Sequence, residues 1–209
     1  MGNVLTLAEE RVVLQNVSWE TYERLLADHG DAPVPRFTYD RGMLEIMSPS
    51  LEHEEYRQAL TLVVEELADG LGMDIRNLGS TTFKRSQLER GFEADACFYV
   101  QSAERMQGKT PIDPAVDPAP DLVIEVEITT SALNKLPIYA DFHVPEVWRY
   151  NGTKLLILLL SGTEYIESRN SLAFPKVSAD DLSRLVRQST TLKRREWLSQ
   201  LRNWLRELH

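Results

Sequence analysis

The stretch Asp121-Leu-Val-Ile-Glu-Val-Glu-Ile128 constrains the fold most, because its side chains alternate between two faces at the period of a β-strand. Leu122, Ile124, Val126 and Ile128 form an apolar face, while Asp121, Glu125 and Glu127 share the other. A second run, Phe92 to Val100, reads the same way, with Glu93, Asp95, Cys97 and Tyr99 opposite Ala94, Ala96, Phe98 and Val100. If the two are neighbours, ~4.8 Å apart, Asp95 lies opposite or diagonal to Glu125, with Glu93 or Glu127 nearby. Carboxylates about 4 Å apart repel by about 4 kcal/mol at an effective dielectric near 20, so the cluster calls for a cation, a proton or full solvation. Hard oxygen donors on facing strands suit Mg²⁺ or Mn²⁺. Two amphipathic strands with simply wet acidic faces give the same pattern. Lys135, just downstream, shifts the balance toward a site, since a lysine beside a metal-binding carboxylate can orient a water or stabilise developing charge.

The rest of the chain supplies an α/β frame for these strands. Ser18 caps a helix through about Asp28, and Asp40-Arg41-Gly42 turns a hairpin between Arg36–Tyr39 and Met43–Met47. Ser48-Pro49-Ser50 opens a long helix whose Tyr56, Leu60, Val63, Val64, Leu67 and Leu71 recur at the helical period. Extended pieces 74–78 and 81–84 follow, and 111–120 is a Pro-rich surface loop. Pro137 fits only the first turn of a helix beginning near Leu133 or Asn134. Strands 146–150, 155–160 and 164–167 come next, and the remainder reads as helix. The expected architecture is a single domain, 1–209, with a core at about 16–165, a central mixed sheet carrying 73–84, 92–100, 121–128 and 146–150, and a C-terminal amphipathic helical extension at about 178–209.

Composition narrows the function classes. One cysteine, Cys97, excludes a disulfide framework, and four scattered histidines give no zinc spacing, so a reducing, cytoplasmic location is expected. The longest apolar run, Leu155 to Leu160, is too short for a bilayer, and MGNVLTLAEERVV lacks the build of an export signal, so no membrane association is expected. MGNVLT matches a myristoylation pattern only superficially, with no polybasic second anchor behind it. The net charge of −9 opposes loose polyanion binding, but it is unevenly spread. From Asp181 onward seven Lys/Arg face three Asp/Glu, leaving sixteen against twenty-nine before it. The basic character belongs to the tail.

The string Pro120-Asp-Leu-Val-Ile-Glu-Val-Glu-Ile-Thr-Thr-Ser131, followed by Lys135-Leu-Pro-Ile-Tyr139 and Val144-Pro-Glu-Val-Trp148, resembles the Uma-type restriction-endonuclease family of the PD-(D/E)XK nuclease superfamily. Ser48-Pro-Ser-Leu-Glu-His53 and Gly91-Phe-Glu-Ala-Asp95 extend the likeness over roughly 16–165. The resemblance implies a restriction-endonuclease-like core and a Mg²⁺- or Mn²⁺-dependent endonuclease acting on DNA. It makes Asp95 and Glu125 the metal-binding acids, with Glu93 and Glu127 as further metal candidates, and Asp95, Glu125, Lys135 and His53 the candidate catalytic residues. The motif's lysine position, two beyond Glu125, holds Glu127, so Lys135 takes the role from the following helix, with Lys84 in reserve. The literal Pro120-Asp121 precedes Glu125 on one strand and is not the motif's first acid. Glu52 and Glu54 remain open as a third carboxylate.

A competing class is a catalytically inactive nuclease-fold protein serving as an interaction or assembly module, which the acidic residue at 127 favours. In the tail, Leu182, Leu185, Val186, Leu192, Trp197, Leu198, Leu201, Trp204, Leu205 and Leu208 mark an apolar stripe. It is expected to pack on the acidic body or to pair two copies, and a homodimer is favoured because cutting two strands calls for two sites.

Overall fold

The computed structural model describes residues 9–208; MGNVLT and His209 lie outside them. Eleven strands and six α-helices follow in order: β1 (Glu10–Leu14), α1 (Trp19–His29), β2 (Arg36–Asp40), β3 (Met43–Ser48), α2 (Leu51–Leu71), β4 (Arg76–Gly79), β5 (Thr82–Arg85), β6 (Arg90–Glu93), β7 (Ala96–Tyr99), α3 (Ala103–Met106), β8 (Leu122–Val126), α4 (Leu136–Asp141), β9 (Glu146–Tyr150), β10 (Leu155–Ser161), β11 (Glu164–Ser168), α5 (Ala179–Thr191) and α6 (Arg194–Glu207). The α/β class holds, but the one expected sheet is two. An antiparallel sheet runs β1-β3-β2-β6-β5, and a mixed sheet runs β11-β10-β9-β8-β7-β4 with β8 and β9 parallel. The expected strand 92–100 is therefore β6 and β7 in different sheets, broken at Ala94-Asp95, and the 73–84 pieces likewise divide.

Local signals explain most boundaries. Ser18 accepts from Thr21 N to start α1, and Ser50 accepts from His53 N at 3.2 Å to start α2. Gly72, at φ 64° and ψ 34°, ends α2 in the left-handed region that a side chain would oppose. Gly91 lets Tyr22 lie on β6, since a Cβ there would sit 2.3 Å from the Tyr22 hydroxyl. Residues 169–178, expected to be helical, are irregular. They are anchored by buried Glu146, which accepts from Leu172 N, Ala173 N and Trp148 Nε1.

The mixed sheet separates two cores. Leu122, Ile124 and Val126 of β8 face α2, α5 and α6, packed with Trp148, Leu185, Trp197 and Leu201. Val123 faces the other way, toward Val147, Ile138 and Tyr139 of α4, and Phe83 and Phe92 of the antiparallel sheet. The tail's apolar stripe is thus consumed within its own chain, with Trp197 only 2% exposed and its Nε1 donating to Leu185 O at 2.9 Å. The face that motivated a homodimer packs on α2 instead.

Candidate active site

Glu125 has the same parity as Val123 and so projects to the α4 side of β8, away from the basic tail. The β7–β8 ladder ends at Ala96 with Ile124, so Asp95 and Glu125 are the residues that flank its end. At that point the chain is leaving β6 for β7, and Asp95 Oδ2 accepts the Val126 amide at 2.6 Å. The break that overturns the single-strand reading is what turns the Asp95 carboxylate into the seam between the sheets.

Three donors hold Asp95: the Val126 amide, His53 Nε2 at 2.8 Å, and the Arg36 guanidinium. His53 projects from the first turn of α2, and its Nδ1 lies 3.0 Å from Glu9 Oε1 as an ion pair rather than a straight hydrogen bond. Arg36 also donates to Glu54 at 2.6 Å, so Glu54 joins the cluster through Arg36 whereas Glu52 accepts from Tyr56 at 3.3 Å. Arg11 of β1 bridges Glu9 at 2.8 Å and Glu45 at 2.9 Å. Glu125 accepts from Lys135 Nζ at 2.9 Å and from the Tyr139 hydroxyl. Lys135 is the N-cap residue of α4 and Tyr139 lies one turn on, so one short helix supplies both partners.

Most of the remaining candidates sit elsewhere. Glu93 accepts from Phe37 N at 2.8 Å and from the Thr82 hydroxyl, within the antiparallel sheet. Lys84 pairs with Glu23 at 2.8 Å on the surface. Asp121 accepts from Val100 N and Ser102 N, both at 2.8 Å, and closes a turn. Glu127 shares with Glu125, Lys135, Arg11 and Arg149 the lining of a cavity of about 330 Å³. Sequence reasoning missed Glu9, Arg11, Arg36 and Glu45, and quoted Tyr139 only as part of the motif. The available signal was charge placed inside short apolar strands, as Glu45 is in Met43-Leu-Glu-Ile-Met47.

Burial by itself lowers the basicity of His53, but the Asp95 and Glu9 carboxylates against its ring more than reverse that and raise its pKa to about 9. Burial alone would raise Asp95, yet His53 and Arg36 hold it well below the usual carboxylate range. Glu125 goes the other way: burial raises its pKa, Lys135 opposes this, and the Asp95 charge adds to it. Of the pair, Asp95 carries its charge and Glu125 takes up a proton more readily.

A raised His53 pKa stabilises the fold fully below about 6.5, and that contribution is lost as pH climbs through about 9. In chelator-treated protein, urea unfolding is expected to lose about 2 kcal/mol between pH 7 and pH 9, a fall that His53→Gln should largely remove over that range. Parallel profiles would contradict the assignment.

Among the described residues no three His, Cys, Asp or Glu side chains converge as a ready-made metal cage. The donor chemistry nevertheless fits Mg²⁺. Each Glu125 oxygen accepts one hydrogen bond and Asp95 Oδ2 one, leaving acceptor capacity on both carboxylates, and Mg²⁺ commonly takes one or two carboxylates with water and phosphate completing its shell.

A family model described as "Uma2: Putative restriction endonuclease" matches residues 19–189. The chain belongs to the Uma2 family. A solved structure described as a putative nuclease belonging to DUF820, from Anabaena variabilis ATCC 29413, is similar in fold, with a TM-score of 0.51 at 12% identity. The match covers 81% of this chain and 99% of that one. No curated protein matches. The restriction-endonuclease-like fold expected from the motifs is thus shown, and the Uma2 match contains Asp95, Glu125, Lys135 and His53. No helix among the described residues is long and apolar enough to cross a membrane.

Proposed function

We propose that this Uma2-family chain is a metal-dependent endonuclease hydrolysing DNA phosphodiester bonds, at a site centred on Asp95 and Glu125. The observation that carries the reading is the placement of two acids at the end of the β7–β8 ladder, Asp95 bonded to the Val126 amide next to Glu125, with Lys135 2.9 Å from Glu125 at the edge of a cavity. Asp95 and Glu125 would hold Mg²⁺ or Mn²⁺, which as a Lewis acid polarises a phosphoryl oxygen and makes bound water more acidic. Arg36 and His53 keep Asp95 ionised and oriented. Tyr139 fixes one oxygen of Glu125, so the other faces Lys135. The Lys135 ammonium has two more donors, which orient the attacking water and stabilise charge developing on the phosphoryl oxygens.

The basic tail lies across the mixed sheet from this site, so backbone contacts near the scissile bond come from the α4 side rather than from Arg194 and Arg195. A second copy for double-strand cleavage would have to dock through another surface. The single buried thiol, Cys97, accords with a reducing, cytoplasmic setting.

Purified protein is expected to cut plasmid, linear duplex or single-stranded DNA with Mg²⁺ or Mn²⁺ and to be silent in chelator. Intact DNA in every case would favour the assembly-module reading, in which the same charges are only a buried structural network.

A further inference from the structure

We infer that Arg149 is the residue that grips the DNA phosphate at this site, and that Glu127 is its competitor rather than a metal ligand. The inference rests on the nuclease reading above. The parallel register sets Arg149 of β9 beside Glu125 of β8, and Val147, two residues earlier, packs with Val123 on the same face. Arg149 therefore enters the cavity that Glu125, Glu127 and Lys135 line.

What separates Arg149 from the other cations is its lack of commitment. Arg11 is spent on Glu9 and Glu45 and Arg36 on Glu54 and Asp95, while Lys135, only 11% exposed, is held against Glu125 with its other donors turned to the reacting centre. The Arg149 side chain is 34% exposed, and its ion-pair partner is Glu127, with Nε 3.9 Å from Oε2, outside hydrogen-bond range. A planar guanidinium with free donors, beside two carboxylates and a lysine, is suited to take two non-bridging phosphate oxygens at once. Glu127, 30% exposed and otherwise bonded among the described residues through its carboxylate to the Ser131 amide at 3.4 Å, offers Arg149 a poor counter-charge that a phosphate displaces.

The test is fluorescence anisotropy of full-length protein with a labelled duplex of about twenty base pairs, in chelator so that nothing is cut, across a salt series. Arg149→Ala is expected to weaken binding about tenfold and to reduce the slope of log K against log salt by about 0.9, with Arg149→Lys recovering part of the loss. Glu127→Gln is expected to tighten binding about threefold by removing the competitor. With Mg²⁺ present, Arg149→Ala should raise KM more than it lowers kcat. Wild type that binds DNA no more tightly than Arg149→Ala, with an unchanged slope, overturns this inference alone. Wild type that binds through Arg149 yet never cuts supports the phosphate grip and overturns the nuclease reading. No DNA binding by wild type overturns both.

Discussion

Glu125→Gln is expected to lower DNA cleavage by at least about a thousandfold while leaving the fold intact. Glutamine keeps the shape of the side chain, so the Tyr139 and Lys135 contacts lose charge rather than packing, and Lys135 at the cavity edge still reaches solvent for compensation. Asp95→Ala is a poorer probe. It strands the buried Arg36 and His53 and frees the Val126 amide, which costs about 3–5 kcal/mol and mixes lost activity with lost stability. Single-turnover cleavage alongside thermal unfolding separates these cases. A Glu125→Gln protein that cuts DNA within tenfold of wild type would remove this carboxylate from the chemistry.

Trp197→Ala is expected to destabilise the chain by about 3–5 kcal/mol, as large an effect as any single core truncation produces. The indole is buried against α2 and α5, and its Nε1–H makes a second hydrogen bond to the Leu185 carbonyl, so the change opens a cavity and removes that bond. Shortening the chain to end near Ala179 would remove Leu182, Leu185, Val186, Trp197, Leu201 and Leu205 from one core and leave α2 with a bare apolar face, so that species should not fold. Urea unfolding followed by circular dichroism measures both. A shortened chain with native cooperativity would mean that α5 and α6 are an accessory rather than half of a core.

How much of this was legible beforehand depends on whether a signal was local. The Ser18 and Ser50 caps, the Asp40-Arg41-Gly42 turn and the alternation in β8 are decided within a few residues, and each stands as expected. The sheet switch at Ala94-Asp95 is not legible, because the sequence alternation of Phe92, Ala94, Ala96 and Phe98 runs straight through it, although the first two pack in one core and the last two in the other. The same switch separates acids that a single strand would group: Asp95 bonds the Val126 amide beside Glu125, while Glu93 is left with Thr82 and Phe37. β1 was missed as a strand, and with it Arg11, whose role depends on pairing with β3 and on reaching Glu45 there. The tail's amphipathic pattern was visible, but its partner was not, since periodicity says that a face is covered and not by what.

Calorimetric titration of Mn²⁺ into metal-free protein tests the central claim most directly, because it asks about Asp95 and Glu125 without requiring a DNA substrate. Wild type is expected to bind Mn²⁺, and Glu125→Gln to show at least about a tenfold loss of affinity. Equal binding by the two proteins, or none by wild type, would contradict the assignment of these carboxylates as a metal centre.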